Sequence, residues 1–297
     1  MSALTQRIEK QLDAPVDDAV RTFAEALGSE VGALGVLFYG SNLRTGSLEG
    51  VLDFYVLLDG PREGGIWPRV SYHERDHDGE TLRAKVATMT LATFHAAAAG
   101  NLTDTTIWAR FVQPSGLAWG GDKEARSKIV TAIAQAAQTA ARLAVALGPK
   151  EGREEDYWRA LFQATYAAEF RVEKSGRENS ILEMNSAHFD GLLPAALAAQ
   201  SIPYERDGNT LRPQLDDKER FEVKRWWAHR QRLGKPLNFM RLLKASTTFE
   251  GAARYGAWKI ERHTGVPVKL TPWREKHPVL AAPGVLFDVW RKKRAGS

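Results

Sequence analysis

The stretch Gly35–Asp59, GVLFYGSNLRTGSLEGVLDFYVLLD, decides how the rest of the chain is read. An apolar run, Gly35–Tyr39, ends in Gly40-Ser41. A polar, glycine-containing loop, Asn42–Gly50, follows. A second apolar run, Val51–Leu58, carries one acid near its start, Asp53. Short apolar runs bounded by glycine and polar residues read as strands. Gly40 lets backbone N–H groups approach an anion closely, and Ser41 adds a hydroxyl donor. Asp53 offers an oxygen ligand of the kind that magnesium takes alongside substrate phosphates.

Strand, Gly-Ser turn, loop and a strand with an inward carboxylate is how a nucleotidyltransferase palm begins. Nucleotidyl transfer requires that a polyanion be held, metal ions supplied and the attacking oxygen aligned. The broad pattern has two acids at alternate positions of the second strand. Here the sequence is Asp53-Phe54-Tyr55, so the second position is Tyr, which is expected to pack in the sheet. The bland alternative is an ordinary turn at Gly40-Ser41 and a surface acid at Asp53.

Before this hairpin, Thr5–Ala26 has helical spacing, with a break at Pro15 and a restart at Asp17-Asp18. After it, Val70–His73 and Thr81–Thr90 read as strands around the Asp78-Gly79 turn, completing a small mixed sheet. His73 and His77 beside Asp76 and Asp78 are better explained by that turn than by metal. Helices are expected at Leu91–Ala99 and from Thr103 or Asp104 to about Phe111. Gln113–Asp122 reads as a loop at a domain boundary. Long helices follow at Lys123–Leu147, Glu154–Lys174 and Asn179–Ala199. Ser201–Asp217 is turn-rich. A basic helix spans Asp216–Leu233, with shorter ones at Leu237–Ala245, Glu250–His263 and Val285–Lys293. The expected class is α+β: a nucleotidyltransferase-like domain over 1–120, a helical domain over 121–215, and a basic, Trp-rich helical region over 216–297.

The chain has 297 residues, 43% of them hydrophobic, and no cysteine. Disulfides and thiolate metal sites are excluded. The N-terminal residues lack an apolar signal core, and no stretch approaches the ~18 apolar residues of a membrane span. A reducing, cytoplasmic setting is expected. The net charge of +5 conceals an asymmetry: residues 1–217 hold 22 Lys/Arg against 30 Asp/Glu, and residues 218–297 hold 19 against 6. Five of the nine Trp lie in that basic part. A basic, Trp-rich end suits a polyanion such as an anionic membrane surface. Arg225, Trp226 and Trp227 on the basic helix, and Trp290 and Arg291 near the C-terminus, are the expected membrane contacts, peripheral on the inner face of the cell membrane. The alternative is that these Trp pack inside a small C-terminal domain. Nucleic acid is not expected, since no nucleic-acid-binding motif is present.

FYGSNLRTG…VLDFYVLLD resembles the phosphatidate cytidylyltransferases of the mitochondrial translocator-assembly-and-maintenance type, which also occur in bacteria. In that family a YGSG-like turn precedes a loop and an Asp-Phe or Asp-Leu strand, with no acid two residues later, so Tyr55 fits it. Leu82–Val86 resembles a family strand with Lys-Tyr-Gly-Val. Asn101–Pro114 resembles its Leu-Tyr-x-Ala-Gly-Arg-Leu-Gln-Lys-Pro segment. Ala168-Glu169-Phe170-Arg171 resembles a Gly-Asp-Phe-Arg segment. The resemblance covers about residues 30–180 and leaves the basic C-terminal part unmatched.

It implies transfer of CMP from CTP to phosphatidic acid or a related phospholipid, giving CDP-diacylglycerol and pyrophosphate, with Mg2+ as cofactor. Gly40 and Ser41 are then expected to cradle phosphates, with Asn42 and Arg44 in the following loop meeting them. Asp53 is the expected metal ligand, with Asp104, Glu74 and Asp59 as candidates for a second. Lys85, on a mostly apolar strand, needs a partner that a triphosphate would supply. Arg110 and Arg171 lie in the matching segments as further phosphate contacts. Two other readings stand beside this one: a nucleotidyltransferase with a protein, RNA or small-molecule acceptor, and an inactive nucleotidyltransferase-like binding module.

Overall fold

The computed structural model describes residues 2–65, 68–104, 106–168, 177–248, 251–276 and 278–295. The first part runs α1 (Ala3–Leu12), α2 (Asp18–Val31), β1 (Gly35–Tyr39), α3 (Ser41–Thr45), β2 (Leu52–Leu58), β3 (Arg69–His77), β4 (Glu80–Thr90), α4 (Leu91–Ala98), α5 (Thr106–Phe111) and β5 (Ser115–Gly120). Next come α6 (Lys123–Leu147), β6 (Gly152–Arg153), α7 (Glu154–Ala168), α8 (Arg177–Met184), α9 (Ser186–Phe189), α10 (Leu192–Ala198), β7 (Tyr204–Asp207) and β8 (Thr210–Pro213). The basic part holds α11 (Asp217–Thr248), α12 (Ala252–Thr264), α13 (Pro272–Lys276) and α14 (Pro278–Ala295).

The fold is α+β, built on a five-stranded mixed sheet of order β3-β4-β2-β1-β5. β1 is antiparallel to β2 and β5, β3 is antiparallel to β4, and β2 and β4 are parallel. Strand side chains alternate between faces, and both faces are covered. Val36, Phe38, Leu52, Phe54, Val56, Ala84 and Val86 meet Val20, Phe23 and Leu27 of α2. Leu37, Tyr55, Leu57, Ala87 and Met89 face the opposite layer, in which α1, α4, α5 and α6 pack. α6 is the axis of that layer. Its alanines, among them Ala132, Ala136, Ala140 and Ala144, are fully buried, so neighbouring helices approach closely. By length and composition α6 would pass for a membrane span, but 72% of its apolar window is buried in this core.

Sequence spacing locates β1 and α6 at their observed ends and places the Pro15 break between α1 and α2. The structure corrects several regions. The single helix expected at Asn179–Ala199 is broken into α8, α9 and α10 at Asn185 and Asp190-Gly191, and the loop after Gly40 opens with the short helix α3. The expected boundary loop Gln113–Asp122 carries β5, which pairs with the outer edge of β1 from Gly35↔Gly120 to Tyr39↔Ser115. Its glycines and Pro114 are turn signals by local chemistry, but the exposed edge of β1 recruits the segment into the sheet. The turn-rich segment after Ser201 forms the β7–β8 hairpin, joined to β6 in a second, three-stranded sheet. The two helices expected at Asp216–Leu233 and Leu237–Ala245 are one, α11, which continues through Pro236. Gly234 has no room for a side chain: a Cβ on it would lie 2.4 Å from the Ala168 carbonyl oxygen, so α11 presses on the end of α7.

The Trp226-Trp227 pair belongs to this packing, which corrects its expected membrane role. Trp227 is 4% exposed and Trp226 half-buried, and both rings meet the buried Trp108 of α5. The Trp226 indole N–H donates to the Gly100 carbonyl (3.3 Å). The buried Arg230 guanidinium lies 3.8 Å from the Trp226 ring centroid and donates to the carbonyls of Gly100 (2.6 Å) and Leu102 (3.0 Å). Only Arg225 of that trio is exposed. Trp227→Ala is therefore expected to cost about 3–5 kcal/mol, as for a buried aromatic, where a membrane-facing Trp would cost almost nothing; chemical denaturation of the lipid-free protein measures it.

His188 links α9 to the end of α5 through a hydrogen bond from its ring Nε2 to the Val112 carbonyl (2.8 Å). Burial, assisted by the nearby Arg7 cation, lowers its pKa to about 4 against the opposing effect of that bond. The folded state thus holds a neutral imidazole. Its contribution is complete above the unfolded value near 6.5 and is lost as pH falls from there toward 4. Thermal melts across that window are expected to fall steeply for the native chain and more gently for His188→Gln.

Candidate active site

The register aligns one residue from each strand in a row across the sheet. Ser115 of β5 faces Tyr39 of β1, Tyr39 faces Asp53 of β2, Asp53 faces Lys85 of β4, and Lys85 faces Tyr72 of β3. Because the side-chain period is two, Asp53 shares its face with Tyr55 and Leu57, which point into the helical layer. The carboxylate is therefore inward-facing, at the open end of a face that is otherwise core.

Gly40 joins the turn to this row. Its φ of +94° suits glycine alone, and a Cβ built on it would sit 3.1 Å from the Asp53 Oδ2 atom. The peptide after β1 thus lies against the carboxylate. Ser41, next in the chain, is exposed, and its hydroxyl donates a long hydrogen bond to the Asn42 Oδ1 atom (3.4 Å) that a ligand could replace. α5 supplies Arg110 from the other side. Its Nη1 donates to the Tyr55 hydroxyl (2.9 Å), and its guanidinium lies 5.1 Å from the Tyr39 ring centroid and 5.7 Å from that of Tyr55. Tyr55 is buried among Tyr39, Phe94 and Phe111. It packs in the sheet as expected, and its hydroxyl also positions an arginine.

Asp53 is half-buried, and burial raises its carboxyl pKa although Lys85 and then Arg110 pull the other way. Lys85 keeps an exposed surface, yet crowding by the cleft walls lowers its ammonium pKa. Asp53 opposes that shift, and the cations Arg110 and Lys259 add to it. A carboxylate and an ammonium each held away from their relaxed ionisation, beside further cations, form a site poised for an anion.

The remaining expected residues divide. Asn42 is buried, and its amide donates to the Ser47 and Glu49 carbonyls (2.8 Å each). It shapes the loop and is spent as a phosphate contact. Arg44 is half-buried on α3. Arg171 lies outside the described residues. None of the three candidates for a second metal ligand is free beside Asp53. Glu74 accepts from the Tyr72 hydroxyl (2.9 Å) and pairs with Arg83 (3.4 Å). Asp104 is buried, accepts from the Thr106 N–H at the start of α5, and pairs with Arg241 of α11. Asp59 follows the far end of β2. No group of three or more His, Asp or Glu suited to a metal exists among the described residues. His77 lies 3.6 Å from Asp78, whose φ of +51° belongs to the tight turn.

Trp290 and Arg291 are exposed on α14, on a helix that buries Ala281, Val285 and Val289 while leaving Leu280, Leu286 and Phe287 in solvent. Sequence reasoning missed the contribution of Lys259, because nothing in the local pattern of α12 indicates what it faces.

No protein-family model matches the chain, and no curated protein matches it.

Two substitutions test the electrostatics. For Asp53 the folded pKa lies above the unfolded value of about 3.8, so the charged form weakens the fold as pH rises through the folded value. Asp53→Asn is therefore expected to melt a few degrees higher than the native protein at pH 7, the gain vanishing toward pH 4. Gly40→Ala is expected to lose about 1–3 kcal/mol from its left-handed backbone and its encounter with the carboxylate.

Proposed function

We propose that the chain is a nucleotidyltransferase that moves CMP from CTP to the phosphate of phosphatidic acid or a related phospholipid, releasing pyrophosphate. The observation that carries this reading is the junction of turn and carboxylate: the Gly40 backbone packed against Asp53, with Lys85 in register beside it and Arg110 flanking.

Each group has a physical task. The exposed Ser41 hydroxyl and the backbone around Gly40 bind the leaving end of the triphosphate. Lys85 and Arg110 neutralise charge on the phosphate that is attacked. Transfer of this kind relies on positioning and charge stabilisation more than on covalent chemistry by the protein. No strong general base is required, because a phosphate monoester is already ionised near neutral pH. Tyr55 fixes Arg110 through its hydroxyl, so the guanidinium is held before substrate arrives.

Magnesium fits the donor set in a limited way. Asp53 is a hard oxygen ligand, and one carboxylate with substrate phosphates is a common magnesium arrangement. When bound, the ion neutralises phosphate charge. The neighbouring Lys85 and Arg110 leave room for the ion only together with an anionic substrate.

A lipid acceptor is supported by α14, whose outer surface combines Leu286, Phe287 and Trp290 with Arg291. Apolar and aromatic side chains beside cations suit the interface of an anionic membrane and support the reading of a peripheral enzyme on its cytoplasmic side.

A liposome assay with phosphatidic acid, Mg2+ and each labelled nucleotide in turn tests the proposal. Expected is CDP-diacylglycerol formation from CTP that falls at least about 100-fold in Asp53→Asn, the scale of losing a main electrostatic contributor. Failure of every nucleotide to react, with CTP unable to bind, would overturn it in favour of a binding module. Transfer to another acceptor alone would overturn the lipid assignment.

A further inference from the structure

α12 lies over the β3 end of the row that carries Asp53 and Lys85. The Tyr255 ring packs on Tyr72 (centroids 5.4 Å apart), and Tyr72 is the register partner of Lys85. Residues three and four apart share a helix face, so Tyr255, Trp258, Lys259 and Arg262 fall on one side of α12. Lys259 Nζ lies 5.8 Å from the Tyr255 ring centroid. Trp258 sits between two guanidiniums, Arg83 of β4 at 5.5 Å and Arg262 at 5.3 Å. Arg83, Trp258 and Arg262 line a cavity of about 740 Å³ with Glu49, Gly50, Glu80 and Thr81, and Lys259 lies outside its lining.

Two carboxylates in that cavity offset its two arginines, so the cavity itself is not strongly cationic. The excess positive charge lies one step inward. Lys85 and Lys259 are both exposed and are joined through the Tyr72–Tyr255 pair, and among the described residues neither makes an ion pair within 4 Å. Glu74, the nearest acid on β3, is engaged with Tyr72 and Arg83. The two ammonium groups repel each other, and the single Asp53 carboxylate beside Lys85 offsets only part of the charge that they and Arg110 bring, which leaves a place for an anion.

Direction of transfer assigns that anion. In-line displacement puts the attacking oxygen and the leaving pyrophosphate on opposite sides of the reacting phosphorus. The Gly-Ser turn lies at the β1 side of Asp53, and Lys85 and α12 lie at the β4 side. Neighbouring strands are ~4.8 Å apart, so the row from β1 to β3 spans ~14 Å, enough to separate two phosphate positions.

We propose that Lys259 of α12 is a phosphate-binding residue of the acceptor subsite, which occupies the β4–α12 side of the cleft and takes a phosphomonoester. This rests on the nucleotidyl-transfer reading for the orientation of the substrates. In the step it serves, an ionised oxygen of the phosphomonoester forms a bond to the α-phosphorus of the nucleotide. The bond from that phosphorus to the bridging oxygen of the pyrophosphate breaks, and pyrophosphate leaves with the electron pair. No redox partner is needed.

Isothermal titration of the 297-residue chain tests the proposal with four ligands: a short-chain soluble phosphatidic acid, inorganic phosphate, the matching phosphatidylcholine and CTP. Lys259→Ala is expected to weaken phosphatidic acid binding about tenfold, the worth of one charge-assisted contact. Lys259→Arg should restore most of it, CTP affinity should hold, and the phosphodiester lipid should bind neither form. Inorganic phosphate binding with the same Lys259 dependence would support a subsite that reads the phosphomonoester alone; dependence seen only with the lipid would support one that also reads its glycerol or chains. Unchanged phosphatidic acid binding in Lys259→Ala, no binding by the native protein, or an equal loss for CTP would overturn the proposal. Lys259-dependent phosphatidic acid binding without CTP turnover would sink the nucleotidyl-transfer reading and leave the subsite standing. CTP turnover with an unaltered acceptor KM in Lys259→Ala would do the reverse.

Discussion

A carboxylate held partly out of water, against a backbone turn on one side and cations on the others, is the constraint around which this molecule is arranged. Burial alone favours the protonated acid at Asp53. Lys85 and Arg110 counter that, and each must be held by a different element: a parallel strand for the lysine, a short helix for the arginine. The parallel pairing of β2 with β4 fixes Lys85 opposite Asp53. A parallel neighbour needs a crossover, and here the connection runs through β3, which pairs on the far side of β4.

The helical layer answers a second need, which is to seat Arg110 without burying an unsatisfied guanidinium. Its partners are aromatic: the Tyr55 hydroxyl accepts a hydrogen bond, and the Tyr39 and Tyr55 rings lie alongside. Phe94 and Phe111 pack against Tyr55, so α4 and α5 are locked to the sheet at the same point. α6 then backs both helices with an alanine-lined surface. Packing and charge placement are thus one problem here: moving α5 would displace a cation as well as a core.

Local chemistry made the hairpin readable. The apolar runs, the Gly40-Ser41 turn and the isolated Asp53 are all short-range features, and β1 needs no distant contact to be recognised. Tyr55 was legible as a packed residue, because alternation places it with Leu57 on a covered face. β5 was not, since a Gly-rich hexapeptide becomes a strand only when an open edge is offered to it. Trp226 and Trp227 misled for a related reason. Tryptophans among arginines look interfacial in one dimension, and nothing in the helix itself shows that Trp108 and the Gly100 carbonyl lie beneath them. Asn42 looked like a ligand because it follows the turn, but its amide is consumed in closing its own loop. Lys259 lies some 170 residues from Lys85, and no spacing rule connects residues so far apart.

The ion pair between Arg241 and Asp104 bears on how separable the basic end of the chain is. Asp104 lies just ahead of α5, the helix that presents Arg110, accepts from its first N–H, and takes its counter-charge from α11. Removing the basic region would strand a buried acid at the root of the cation-bearing helix, where an uncompensated charge is costly. The basic last quarter of the chain is therefore no interchangeable adaptor. Any exchange of it for another surface must carry along a cation at the Arg241 position, so affinity for a surface and the alignment of the cleft are bound to vary together.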